Sequence, residues 1–206
     1  MTSLPPDPDV LGHALGWLVN ALCGQKRPAE ADAVYRKAVE GSPISPFWRA
    51  WGELVAGQGR AVEAERSIQQ ALRTATDCAA ARGCSRLDWA DIVCEVGMYY
   101  ATQGRRTEAV TLAERAGDAY EAIPCDENNI WQMGELADLY IKLGDSAKAE
   151  GLLRRILAVR GARPADPFIV HAEVVLATAF EKEGQGPKSA AARRQAETLR
   201  TQGNKS

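Results

Sequence analysis

Four stretches of the chain share one grammar: VAGQGRAVEA at 55–64, YATQGRRTEA at 100–109, YIKLGDSAKA at 140–149 and FEKEGQGPKS at 180–189. Each opens on a large apolar residue (Val55, Tyr100, Tyr140, Phe180), then reaches a glycine, and closes on a small residue (Ala64, Ala109, Ala149, Ser189). The glycines stand at 59, 104, 144 and 184, at intervals of 45, 40 and 40 residues. A glycine after a helical run ends the helix, because it enters the left-handed conformation that satisfies the last carbonyls. Amphipathic segments flank each phrase and few stretches alternate with period two, so each phrase predicts a turn between two helices and no strands. Two helices pack closely only where small residues meet. Ala64, Ala109, Ala149 and Ser189 supply that surface on the second helix, and Gly52, Gly97, Ala137 and Ala177 on the first. The unit is an αα-hairpin, repeated about five times into an all-α array.

Punctuation outside the phrases agrees. Residues 1–9 are Pro-rich and expected to be flexible, with Asp9 as N-cap of a helix starting near Val10. Pro28 suits the first turn of a second helix and Pro46 opens a third after the turn GSPISP. The 45-residue interval predicts a helix prolonged to about Ala81, a break at Gly83, and a new start capped by Ser85 and Asp88. Breaks at 123–129 and 161–167 separate the last hairpins, and the fourth copy weakens after Gly184. The Ala- and Arg-rich end suits a solvent-facing terminal helix, with 201–206 as a flexible tail. No composition shift marks a boundary, so residues 10–200 are expected to form one helical repeat domain.

Composition excludes several function classes. The 206 residues are 46% hydrophobic and 25% charged, an ordinary globular balance with enough chain for a core. A net charge of −2 argues against general binding to nucleic acid or anionic membranes. The N-terminus lacks the basic and apolar regions of a signal peptide, and no stretch is apolar enough to span a bilayer. Ala is the most frequent residue and Arg outnumbers Lys, which is compatible with a GC-rich bacterial gene. The five cysteines (Cys23, Cys78, Cys84, Cys94, Cys125) form no CxxC pair, and His13 and His171 are the only histidines. That reads as reduced cytoplasmic thiols filling core gaps, with no metal site and no cofactor. A redox or metal role for Cys78 and Cys84 is the competing reading. No phosphate-loop, zinc-protease or nucleophile-elbow motif is present, so no enzymatic activity is expected.

The residues in register also carry a resemblance. Trp48-x2-Trp51-Gly52-x2-Val55-x3-Gly59-x4-Ala64-x3-Ile68-x2-Ala71 resembles the tetratricopeptide (TPR) repeat, W-x2-L-G-x2-Y followed by A-x3-F and A. Val93-x2-Val96-Gly97-x2-Tyr100 and Met133-x2-Leu136-Ala137-x2-Tyr140 start two further copies, and Leu176-Ala177-x2-Phe180 a fourth. Ala31-x3-Tyr35-x2-Ala38 is the second half of an N-terminal copy, with Leu15, Leu18 and Leu22 on its first helix. The later repeats are longer than the standard one. They resemble those of kinesin light chains, Rap-type regulators and MalT-type activators, and imply a superhelix of altered curvature.

The resemblance implies that the first helix of each hairpin faces a concave groove. In this register the groove positions are His13, Trp17 and Asn20, then Arg49 and Glu53, then Asp91, Cys94, Glu95 and Met98. Trp131, Glu135 and Asp138 follow, and then His171, Val175 and Thr178. Of the clamp that holds acidic C-terminal peptides in the family, only Asn20 is in place. Glu53, Glu95, Glu135 and Asp138, with Trp131 and Met98 beside them, predict an acidic stripe for a cationic or amphipathic segment of another protein. Against this stands the reading of solvated carboxylates paired with nearby arginines. Trp48, Trp51 and Trp89 are expected to pack. The chain therefore reads as an adaptor, chaperone or assembly factor, with self-association open. The alternative is a regulatory sensor that closes around a small molecule or signalling peptide.

Overall fold

The computed structural model of the protein describes residues 8–126, 129–160 and 167–203. The described residues form ten α-helices and no strand. They are α1 (Pro8–Gly24), α2 (Pro28–Gly41), α3 (Ser45–Gly57), α4 (Ala61–Ala80), α5 (Arg86–Thr102), α6 (Arg106–Glu121), α7 (Ile130–Leu143), α8 (Ser146–Arg160), α9 (Pro167–Lys182) and α10 (Gly186–Gly203). Consecutive helices pair into five hairpins. The chain divides into two compact units, Met1–Ile92 and Val93–Ser206, with the division inside α5.

The turn inside each hairpin has one construction. Gly59, Gly104, Gly144 and Gly184 all take positive φ, between 72° and 78°. Each glycine N–H donates to the carbonyl three residues back, as Gly144 does to Ile141 at 3.0 Å. The next residue donates to the carbonyl five back: Arg60 to Val55, Arg105 to Tyr100, Asp145 to Tyr140 and Gln185 to Phe180, at 2.8–3.0 Å. This pair of bonds is the Schellman closure of a helix C-terminus. The same residue then accepts the first bond of the following helix, from Ala64, Ala109, Ala149 or Ser189. One residue thus ends one helix and starts the next. The N-terminal hairpin makes the same turn with Lys26, at φ 58°, in place of glycine, and Arg82 does so after α4 at φ 56°.

Side chains reinforce these starts. Arg27, Arg60 and Arg105 each reach the carboxylate three residues on, in Glu30, Glu63 and Glu108. At α8 the polarity is reversed, with Asp145 binding Lys148 at 3.5 Å. The helix at Arg86 begins with the expected reciprocal cap. Ser85 N–H donates to Asp88 Oδ2 at 2.8 Å, and Asp88 N–H donates to Ser85 Oγ at 3.1 Å. Asn129, buried before α7, accepts from Asp126 N–H and donates to the Pro124 carbonyl, which fixes the segment leading into the helix, a contact that the sequence pattern did not single out.

The small residues meet as expected. Ala64, Ala109, Ala149 and Ala137 are fully buried, and Gly52 lies against Ala64 and Ile68. A Cβ placed on Gly97 would come within 2.9 Å of Leu139 and 3.3 Å of Leu112, so α5 approaches both α6 and α7 closely there. Val55, Tyr100, Tyr140 and Phe180 fill the space beside these contacts. Tyr140 also donates its hydroxyl to the Ala113 carbonyl at 3.0 Å, tying α7 to α6. The expected packing of Trp48 and Trp51 holds: both are partly buried, with ring centroids 5.7 Å apart.

Several expectations are corrected. Helix α1 starts at Pro8, so Asp9 lies within the helix and is not its N-cap. Helix replaces the expected flexible segment at 8–9 and at 201–203, while 1–7 and 204–206 lie outside the described residues. The break at 161–166 lies outside them too. The fourth hairpin does not weaken: α10 packs along α9 through Ala192, Ala196 and Leu199, which small side chains allow. In α9, three residues before Leu176, stands Glu173, in the register position of Trp48, Val93 and Met133. It is fully buried, neither carboxylate oxygen accepts a hydrogen bond among the described residues, and Arg154 Nη1 lies 3.8 Å away. Burial pushes its carboxyl above the ordinary glutamate range; Arg154 opposes the rise and Glu150 adds to it.

Two stability predictions follow from the turn and from this carboxylate. Gly144→Ala should cost about 1–2 kcal/mol, the penalty of a Cβ in the left-handed region, whereas Lys26→Gly should stabilise by about 0.5–1 kcal/mol. Equal midpoints in urea for both variants and the parent would show that the turns carry no such strain. Glu173→Met, which copies Met133, should stabilise by about 1–4 kcal/mol at pH 7, as replacing a buried ion with a packed apolar group often does. The folded state holds the Glu173 proton more tightly than the unfolded state. Stability of the parent therefore falls as pH rises from the ordinary glutamate range through the raised value. The advantage of Glu173→Met should shrink on acidification, and urea titrations at several pH values measure that slope.

Candidate partner-binding site

Each unit presents groove-register positions on its first helices. In the first unit, α1 exposes Trp17 (75%), Leu18 and Asn20, and the side chain of His13 lies outside the described ones. On α3 the half-buried Arg49 pairs with Glu53 at 2.8 Å, one turn away. Glu53 is therefore neutralised locally and adds little to an acidic stripe. Behind it, Asp32 accepts a bond of 2.6 Å from the Trp51 indole and faces Arg60 and Arg36, each at 3.0 Å. Burial would raise this carboxyl, but the Trp51 and Arg60 bonds outweigh it and hold the group below the usual aspartate range. This cluster joins α2, α3 and α4. The register reading did not find it, because Asp32 and Arg60 belong to second helices and to a turn.

The second unit gathers the remaining positions. On α5, Glu95 and Met98 are half-buried and Cys94 is buried, which removes Cys94 from the surface. On α7, Trp131, Glu135 and Asp138 are exposed at spacings of four and three, on one face of the helix. Trp131 is 61% exposed. On α9, His171 and Thr178 are exposed and Val175 is half-buried. Helices α7 and α9 are packed together, and Asp138 interacts with His171 across that seam. Crowding at the seam desolvates the Asp138 carboxyl and raises its pKa, while His171 pulls it down. An exposed indole, two carboxylates and an imidazole thus share a short stretch of surface.

A second concavity lies on the other helices of this unit. A cleft of about 510 Å³ is walled by Glu114, Asp118 and Glu121 of α6 and by Lys148, Leu152 and Arg155 of α8, with Tyr140 also in its lining. Lys148 sits 3.6 Å from Glu114 and over the Tyr140 ring, and Arg155 donates to the carbonyls of Tyr120 and Ile123. Burial and then Asp145, Glu114 and Asp118 push the Tyr140 hydroxyl up to about 12, so it keeps its proton and donates to Ala113. Sequence reasoning missed this cleft because it considered first helices only.

The arrangement offers recognition chemistry: apolar and aromatic area, hydrogen-bonding groups and carboxylates. Among the described residues no group of three or more His, Cys, Asp or Glu is arranged to hold a metal ion, and no helix is long and apolar enough to cross a membrane.

Comparison with known proteins agrees with the helical-repeat fold. Residues 132–165, which cover most of α7 and α8, match the tetratricopeptide repeat family model. No curated protein matches the chain in sequence. Among solved structures, BtubC (BKLC) from P. vanneervenii superposes with a TM-score of 0.68 at 17% identity, covering 95% of this chain and 83% of its own. A putative kinesin light chain of Podosopora anserina with nearly identical TPR-like repeats gives 0.60 at 19% identity, covering 98% and 100%. YrrB, described as a TPR protein with an unusual peptide-binding site, gives 0.53 at 16%, covering 89% and 83%. At these identities the structural likeness is one of fold. The chain is a TPR-like repeat protein, with the family's sequence in one hairpin and its fold in the rest.

Proposed function

We propose that the protein is a non-enzymatic interaction module, an adaptor, chaperone or assembly factor, that holds a cationic or amphipathic segment of a partner protein against α5, α7 and α9. The observation that carries this reading is Trp131. A large aromatic side chain left 61% exposed on a well-packed helix is a ready anchor, since aromatic residues dominate binding energy when buried at an interface. Glu135 and Asp138 follow it on the same face, and Glu95 and Met98 occupy the matching positions of α5. Carboxylates beside an apolar anchor favour a segment with Lys or Arg next to its hydrophobic residues. In the first unit, Asn20 and the neutral Arg49–Glu53 pair provide hydrogen-bonding groups at the matching positions. YrrB, of the same fold, is described by its peptide-binding site, which supports a peptide as the ligand type. A bacterial protein acting in the cytoplasm suits this role.

The α6–α8 cleft supports a second reading, a sensor for a small molecule or signalling peptide. Its volume falls within the range of small-ligand pockets, roughly 300–1,000 Å³. Ligand-dependent change in small-angle scattering would favour it over the adaptor.

The test uses amphipathic helical peptides that differ only in bearing Lys or Glu on the polar face, titrated by fluorescence into the full chain. Lys peptides should bind more tightly, and raising the salt should weaken them, because exposed charges are screened beyond about 8 Å at physiological ionic strength. Glu95→Lys with Glu135→Lys should abolish that preference while leaving the helix content unchanged. Trp131→Ala should weaken binding by about tenfold or more, with less salt dependence, as loss of an aromatic anchor does. Undiminished affinity in the double reversal would reduce the stripe to a solvated face.

A further inference from the structure

The five-residue excess of the first repeat interval lies around the α4–α5 junction, and that junction carries Cys78 and Cys84. Cys78 is in the last turn of α4 and Cys84 precedes α5. The helix ends in the closure described above: Arg82 takes φ 56°, its N–H donates to the Ala79 carbonyl at 3.1 Å, and Gly83 N–H donates to the Cys78 carbonyl at 2.8 Å. The chain is thereby folded back over Cys78. Cys84 lands with its Sγ 3.9 Å from the Ala75 carbonyl, three residues before Cys78 on α4. Gly83 leaves the space for this approach, since a Cβ there would lie 3.4 Å from Cys78 Sγ. Both cysteines are partly exposed, whereas Cys94 is buried. Core filling therefore describes Cys94 and not this pair.

We propose that Cys78 and Cys84 form a redox-active dithiol that closes to an intramolecular disulfide by exchange with a low-molecular-weight disulfide such as glutathione disulfide. Exchange proceeds by thiolate attack through a mixed disulfide. Burial, and then the neighbouring Cys78, push the Cys84 thiol up to about 11, so Cys84 keeps its proton in the first step. The Cys78 sulfur attacks the glutathione disulfide, one glutathione leaves as thiolate and takes a proton, and Cys78 holds the other. Cys84 then loses its proton to solvent and attacks the Cys78 sulfur, and the second glutathione leaves. The protein dithiol is oxidised and one disulfide is reduced to two thiols. Cys78 Sγ lies beside Gly83, Cys84 is the next residue, and its own Sγ lies over the same turn of α4, so an adjustment of the loop is what brings the sulfurs to the bonding distance that a disulfide requires. The bond would pin residue 84 to the last turn of α4 and restrain the junction at the exposed Arg82.

The reduced full-length chain, treated with excess glutathione disulfide, alkylated and peptide-mapped, should yield a linked Cys78–Cys84 peptide that dithiothreitol reverses, with Cys94 left as alkylated thiol. Tryptic cleavage at Arg82 of the folded protein should slow on oxidation. Cys84→Ser should halt at a glutathione adduct on Cys78 and lose the protection at Arg82. Independently of any variant, phenylarsine oxide, which bridges neighbouring thiols, should shield this pair of the parent from alkylation while Cys23 remains reactive. Adducts that persist on Cys78 or Cys84 of the parent without the linked peptide would overturn the proposal. So would cross-links from either residue to Cys23 of another chain, or inert Cys78 and Cys84 under conditions that modify Cys23.

Discussion

The left-handed residue at the close of a helix is the constraint on which the rest of this structure depends. At Gly59, Gly104, Gly144 and Gly184 a single positive φ turns the chain so that the following residue both closes one helix and opens the next. With so short a connection the direction of the second helix is set locally, and the first helix must lie along it. The demand for small residues at their contact is a consequence. Gly52 against Ala64 and Gly97 against Ala109 are the places where backbones approach, and a larger side chain has nowhere to go. The large residue that starts each phrase accepts the closing bond with its carbonyl and places its side chain in the core, so one position serves both local and tertiary order.

That dual use explains how much was legible in the sequence. Glycines and small residues recur because backbone conformation and steric contact admit few substitutes, and a register built on them placed every hairpin. It failed where another chemistry met the same need. Lys26 and Arg82 adopt the left-handed conformation without being glycine, and only the surrounding register marks them. Asn129 orders the irregular segment before α7 through bonds to Pro124 and Asp126 that no periodic pattern encodes. The terminal helix is read from its composition, but the repeat pattern fades there because Ala192 and Ala196 are weak hydrophobic signals, though they suffice against a closely placed α9.

The site was less legible, for a related reason. Positions that face away from packing are free of the constraint that makes the fold readable. The register indicates which residues can be on the surface and is silent about their charge environment. Glu53 and Asp138 occupy comparable surface positions of their hairpins, yet Arg49 neutralises the first one turn away, while the second sits in a crowded seam opposite His171. The Asp32–Trp51–Arg60 cluster shows the converse, charges that sequence counts as polar but that join three helices.

Glu173 brings these strands together. It occupies a position that the repeat dedicates to packing, where Trp48, Val93 and Met133 stand in the other copies. An apolar residue there would serve the fold at least as well, because a buried carboxylate with no hydrogen bond among the described residues loses its hydration and regains only part of it from Arg154 at 3.8 Å. Arg154 is itself half outside, shared with Glu150, which in turn binds Lys188 of α10 at 3.2 Å. The carboxylate is therefore the inner end of a charged chain that runs from the core of α9 to the surface and links α8, α9 and α10. Its proton and that surface chain bear on one another: with Arg154 near, the ionised form is favoured, and with Arg154 turned to solvent or to another carboxylate, the neutral form is. The last two hairpins are thus packed around a group whose charge depends on the surface beside it, a coupling that an apolar residue in the same register position would not provide.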